Sequence, residues 1–154
     1  MTTPTLHHRD ANSDAIVKWL VPERVIYMWA KGEISPSVRT WMNAQAVFLY
    51  HSCATPKVHI LVDMSNVTGR AKGSKKDRPA VWHPRRGWIV SIGVVRNTAI
   101  RVFINLVLNV MNLNYFDTES AEKGLDLLQK ADPSLPDLKP YWNTIRGQHT
   151  GEQA

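Results

Sequence analysis

The chain reads as an α/β protein, with a mixed sheet of four or five strands and helices packed on it. Three observations predict this. Apolar runs of strand length alternate with segments of helical periodicity. The first two runs, Ile16–Val21 and Val25–Ala30, are joined only by Pro22-Glu23-Arg24, the signal of an antiparallel hairpin. The later runs are apolar almost throughout, as strands covered on both faces are.

Taken in order, residues 1–14 are polar and aperiodic and read as a disordered tail. The hairpin follows and adds an antiparallel edge to the sheet. Ser35-Pro36 starts a helix: a hydroxyl N-cap, then proline at the first helical position, where its missing N–H is not needed. Val38, Trp41, Met42, Gln45, Phe48 and Leu49 share one face of that helix to about Ser52. Thr55-Pro56 leads into the strand Val58–Val62, and after Asp63 the pattern is lost. Residues 69–87, with three Gly and two Pro, read as a long loop. Trp88–Val94 is the next strand. Asn97 or Thr98 caps a helix running to about Asn112. Tyr115-Phe116 is a short strand, and Asp117-Thr118 caps a last helix carrying Ala121, Gly124, Leu125 and Leu128 on one face. The fold is expected over 15–132. Residues 133–154 form a tail, partly docked through Leu135, Leu138, Tyr141, Trp142 and Ile145, and frayed after Gly147.

The length of 154 residues suits one domain with a real core. The longest apolar-rich stretch, Ala99–Leu113, is interrupted by Arg101, Asn105, Asn109 and Asn112. As a helix it would be roughly 22 Å long, short of the ~30 Å hydrocarbon core. A single cysteine, Cys53, excludes an intrachain disulfide, and a cytoplasmic location is expected. The net charge of +6 is concentrated in residues 70–87, which hold seven basic residues and one acid. The rest of the chain is neutral.

Three segments resemble the STAS domain, the fold of the anti-sigma-factor antagonists, and its SpoIIAA-like relatives. Ile26 to Ser35 resembles the family's strand and Gly-Glu-Leu-Thr-type turn. Leu61-Val62-Asp63-Met64-Ser65-Asn66-Val67-Thr68 resembles its strand ending in Asp-Leu-Ser-x-Val-Thr. Tyr115 to Ala121 resembles its last strand and the start of its last helix. The resemblance covers roughly residues 16 to 131 and implies a regulatory, non-enzymatic module. One departure is plain. The antagonists' phosphorylatable Asp-Ser-Ser-Gly falls on Ala71-Lys72-Gly73-Ser74, which lacks the acid and both serine positions. The phosphoswitch is therefore not carried over.

Two candidate sites follow. The first is a partner- or anion-binding loop built from Arg70, Lys72, Lys75, Lys76, Arg78, Trp82, Arg85 and Arg86. Cations grouped in this way would attract an acidic partner or an anionic membrane, at ~1 kcal/mol per basic residue near a lipid surface. The plain alternative is a solvated insert. The second is the strand end Asp63, Ser65, Asn66 and Thr68, placed where open α/β sheets bind ligands. Its plain alternative is turn chemistry, in which Asp, Ser and Asn bond their own backbone.

The helix Ala99–Leu113 shows a narrow polar stripe, Arg101, Asn105 and Asn109, on an otherwise apolar surface. Either the C-terminal tail covers its second apolar side, or that side is a homodimer interface or a groove for an apolar ligand. No catalytic residue, metal site or cofactor is expected. The six histidines do not cluster at zinc spacing, and no serine or cysteine stands in a nucleophile's context. The expected function is an interaction module with a protein partner, which includes a second copy of itself. The alternative is a module that binds lipid or an anionic membrane surface. Nucleic acid is not the expected partner, because no nucleic-acid motif accompanies the cations.

Overall fold

The computed structural model describes residues 6–70 and 83–152, the side chains of Arg70 and 147–152 excepted. Six strands form one sheet: β1 (Leu6–Arg9), β2 (Ser13–Val21), β3 (Val25–Ile34), β4 (Val58–Arg70), β5 (Arg86–Ile92) and β6 (Tyr115–Thr118). They lie side by side in chain order. The pairs β1–β2 and β2–β3 are antiparallel, and β3 to β6 are parallel. The helices are α1 (Pro36–His51), α2 (Thr98–Val110), α3 (Ala121–Ala131) and α4 (Leu138–Glu152).

Strand alternation sorts the core into two layers. Ala15, Val17, Ile26, Met28 and Ala30 meet Val38, Met42, Ala46, Leu49 and Tyr50 of α1. Ile16, Leu20, Tyr27, Trp29, Leu61 and Val90 meet Leu125 and Leu128 of α3 and Leu138 and Ile145 of α4. The helix starts follow the expected chemistry. The Ser35 hydroxyl accepts from Val38 N–H, and the Asn97 side chain accepts from Ile100 N–H. α3 starts later than expected, with Ser120 rather than Asp117 or Thr118 as its cap.

The sheet has six strands rather than four or five, because part of the expected tail is ordered. Asp10 accepts from Asn12 N–H at 2.9 Å, Ser13 N–H at 2.8 Å and the Ser13 hydroxyl at 2.9 Å. That tight turn folds Leu6–Arg9 back as the edge strand β1. The C-terminal segment is also more regular than expected. It forms α4, which packs on β2 and α3, with Trp142 edge-on to Tyr27 at 5.7 Å. It does not lie over α2.

β4 runs on through Arg70, beyond Asp63, and pairs with β3 as far as Ile34. The register slips between Trp29 and Lys31, so β4 bulges at Met64-Ser65. Gly32 sits opposite this irregular stretch with φ +87°, a conformation that suits only glycine. A Cβ there would collide with the backbone carbonyl of Asn12. Gly32→Ala therefore combines strain with a backbone clash. It is expected to cost about 2 kcal/mol or more, read as a lower urea midpoint at unchanged slope.

Candidate functional site

A polar cluster lies at the carboxyl ends of β5 and β6, and its centre is Asp117. This residue is fully buried. One carboxylate oxygen accepts from the Ser91 hydroxyl at 2.6 Å and from Val94 N–H at 3.2 Å. The other accepts from Val95 N–H at 3.0 Å and Arg101 Nε at 3.0 Å. Ser91 in turn shares a hydrogen bond with the Tyr115 hydroxyl at 2.6 Å. Arg101 also donates to the Val95 carbonyl. A charge buried to this degree is tolerable because it is paired and bonded on both oxygens.

Asn105 completes the arrangement. β6 is an edge strand, and Asp117 turns its own N–H and C=O away from β5. The Asn105 amide meets both: Asp117 N–H donates to Oδ1 at 2.9 Å, and Nδ2 donates to Asp117 C=O at 2.9 Å. A side-chain amide thus stands in for the next strand and blocks the free edge there.

This arrangement turns Arg101 and Asn105 inward and leaves Asn109, the third residue of the polar stripe, exposed. Arg101 and Asn105 face β6, with Ile104 and Leu108 half-buried beside them. Ile100, Val102, Phe103, Leu106, Val107, Val110 and the cap residue Met111 face out. Phe103 is 65% exposed and Val110 78%. The expected cover, Tyr141 and Trp142, belongs to α4, which packs on β2 and α3, whereas α2 packs on β6. A groove of about 420 Å³ runs beside α2 between Val102, Phe116 and Leu127. A neighbouring one of about 570 Å³ extends past Trp88 and Leu106. Lys123 and Lys130 stand on the groove rim, and Lys123 is paired with Glu119.

The sequence-derived sites look different in three dimensions. Lys72, Lys75, Lys76, Arg78 and Trp82, with the motif positions Ala71 to Ser74, lie outside the described residues, as does the side chain of Arg70. Arg85 and Arg86 are described, and both are turned onto backbone. Arg85 donates to Tyr50 C=O at 2.8 Å and Cys53 C=O at 2.5 Å, closing the carboxyl end of α1. Arg86 donates to Leu113 C=O. Of the second set, the Asp63 carboxylate accepts from Ser65 N–H at 3.0 Å and the Ser65 hydroxyl at 2.5 Å. That is turn chemistry at the bulge. Asp63, Ser65, Asn66 and Thr68 lie within β4 rather than in a strand-end loop. The strand order also runs one way, without the reversal that opens a ligand crevice in doubly wound sheets.

His59, Cys53 and Asp132 are occupied. His59 receives Trp88 N–H on Nδ1 at 2.9 Å, and its Nε2 meets Asp132 at 2.9 Å. Cys53 is buried, with its thiol on Tyr50 C=O. Asp132 also takes Arg24 at 3.1 Å and the Ser134 hydroxyl at 2.5 Å. Its carboxyl is held well below the ordinary carboxylate range, first by the Ser134 hydroxyl, then by His59, the Ser134 backbone and Arg24 against the opposing effect of burial. Among the described residues no group of three or more His, Cys, Asp or Glu is placed to hold a metal ion. No helix there is long and apolar enough to cross a membrane.

No family model matches the chain, and no curated protein matches it. Among solved structures it is similar to an uncharacterized DUF3478-family protein with a SpoIIAA-like fold from Shewanella loihica PV-4. The TM-score is 0.48 at 15% identity, over 82% of this chain and 93% of that one. No activity or partner is attached to the likeness.

Two measurements test the cluster. Asn105→Ala removes two hydrogen bonds and opens the sheet edge, with an expected loss of roughly 1–3 kcal/mol in urea denaturation. Asp117→Asn strands Arg101 and at least one backbone N–H, with an expected loss of about 3–5 kcal/mol. At the other end of the sheet, the folded chain holds Asp132 deprotonated below its ordinary 3.8, so its contribution is present above about pH 4 and fades as pH falls. Asp132→Asn should lower the melting temperature near neutral pH, and its gap from wild type should narrow steadily between about pH 5 and pH 2.

Proposed function

We propose that the protein is a non-enzymatic interaction module that docks a protein partner on the outward face of α2. The observation that carries this is the inverted helix. Seven large apolar side chains stand exposed on one short element, held in place by the bonds from Arg101 and Asn105 to Asp117. Monomeric soluble proteins rarely leave a contiguous patch of this kind uncovered unless it binds something.

Other readings find less support. Helices that bind a membrane surface carry Lys and Arg on the polar face. The one cation of α2 is Arg101, turned inward and bonded to a buried acid. Hydrolytic or group-transfer chemistry would require an accessible nucleophile with a base. Ser91 is buried and donates to Asp117, and both ring nitrogens of His59 are occupied. The cations of the 70–82 segment keep a place in the proposal as a second contact, for an acidic partner surface.

A photoreactive residue placed at Phe103 in the intact cell tests the reading, with the same residue at exposed Lys57 as control. Crosslinking to polypeptide is expected from position 103 and not from 57. Adding Leu106→Glu should reduce the yield at least tenfold, as loss of a central apolar contact does. Equal yields at both positions, or crosslinks to lipid alone, would remove α2 from the function.

A further inference from the structure

We infer that the occupant of the α2 face is α2 of a second copy, packed antiparallel about a two-fold axis between Phe103 and Leu106. This rests on the reading of α2 as the docking face and names its partner.

The pattern of the face supports a helix as occupant. Ala99, Phe103, Leu106 and Val110 are spaced 4-3-4 and form one exposed stripe. That is the spacing of a helix–helix seam, in which each side chain enters a hole on the facing helix. Ile100, Val102 and Val107 flank the stripe and widen it.

Charge supports a copy of this chain over a foreign helix. In helix pairs, charged residues beside the seam select partner and orientation. Here the flanking positions are Ile100, Val102, Val107 and Asn109, with no charge among them. The net charge of +6 lies in residues 70–87, and the seam and flanking positions of α2 carry none of it.

Shape and area agree. An antiparallel pairing sets the small Ala99 against Val110 of the second copy and Phe103 against its Leu106. A parallel pairing would stack Phe103 on Phe103 and leave Ala99 facing Ala99 across a gap. Antiparallel helices also place opposite dipole ends together. A stable interface buries about 800 Å² per partner. Seven large apolar side chains, each more than a third exposed, offer an area of that order.

Sedimentation velocity of the full chain tests the inference, over roughly micromolar to hundred-micromolar concentrations. Wild type should pass from monomer to dimer. Phe103→Lys and Leu106→Glu should each weaken the dimer at least tenfold while leaving the circular dichroism spectrum and urea midpoint of the monomer unchanged, since both positions are exposed. Mixing the two variants should restore a dimer, because only the antiparallel arrangement brings the new Lys and Glu together. A mixture that stays monomeric overturns that arrangement. A wild type that is monomeric throughout overturns the second copy. If position 103 still crosslinks to a different polypeptide, the docking face stands with another partner, and if it crosslinks to none, both readings fail.

Discussion

A buried carboxylate sets the architecture at one end of this sheet. Asp117 has no access to water, so its two oxygens must find donors inside the protein. They find Ser91, the backbone of Val94 and Val95, and Arg101. The turn after β5 and the direction of α2 both follow. Arg101 reaches Asp117 only if the Arg101–Asn105 side of α2 faces the sheet. Asn105, one turn further, then lies against the exposed backbone of β6 and closes it.

The usual rule for a surface helix is apolar side in. Here two energies compete. Turning α2 over would bury part of its apolar face, at ~1.5–3 kcal/mol for each large side chain fully covered. Among the described residues α2 packs chiefly on β6, a four-residue edge strand, which covers few of them. The same rotation would withdraw Arg101 from Asp117, and breaking a buried pair costs about 3–5 kcal/mol. It would also leave an unpaired backbone N–H and C=O at the edge. The polar arrangement prevails within one chain, and the apolar face is left for an intermolecular contact.

Much of the fold was legible in the sequence, and the reasons are local. Ser35 and Asn97 are caps because their side chains accept from the backbone three residues on, and short-range chemistry survives without a structure. The β-branched-rich run Val58–Val62 reports a strand buried on both faces for the same reason. Less was legible where distant segments decide. Periodicity shows that α2 has a polar stripe, yet it does not say which side points inward, since Asn105 and Asp117 meet only in the folded chain. Arg85 and Arg86 read as free charge, because composition does not distinguish a solvated cation from one that closes a helix end. The strand Leu6–Arg9 was hidden in a polar tail. Its order comes from one Asp10 turn and from pairing with β2, and neither leaves an apolar pattern.

The two acidic centres of the molecule therefore do different work. Asp132 joins β4, the end of α3 and the strand connection at Arg24, and the groups it gathers are all used up within that corner. Asp117 joins β5, β6 and α2, and satisfying it exports an apolar surface. Stability at the first centre belongs to the monomer. Stability at the second is shared with whatever covers α2, because a partner that binds only the folded chain raises its stability by mass action. With a second copy as that partner, the resistance of the chain to unfolding becomes a function of its own concentration. The buried pair that orients α2 would then be the link between the fold of one protomer and the assembly of two.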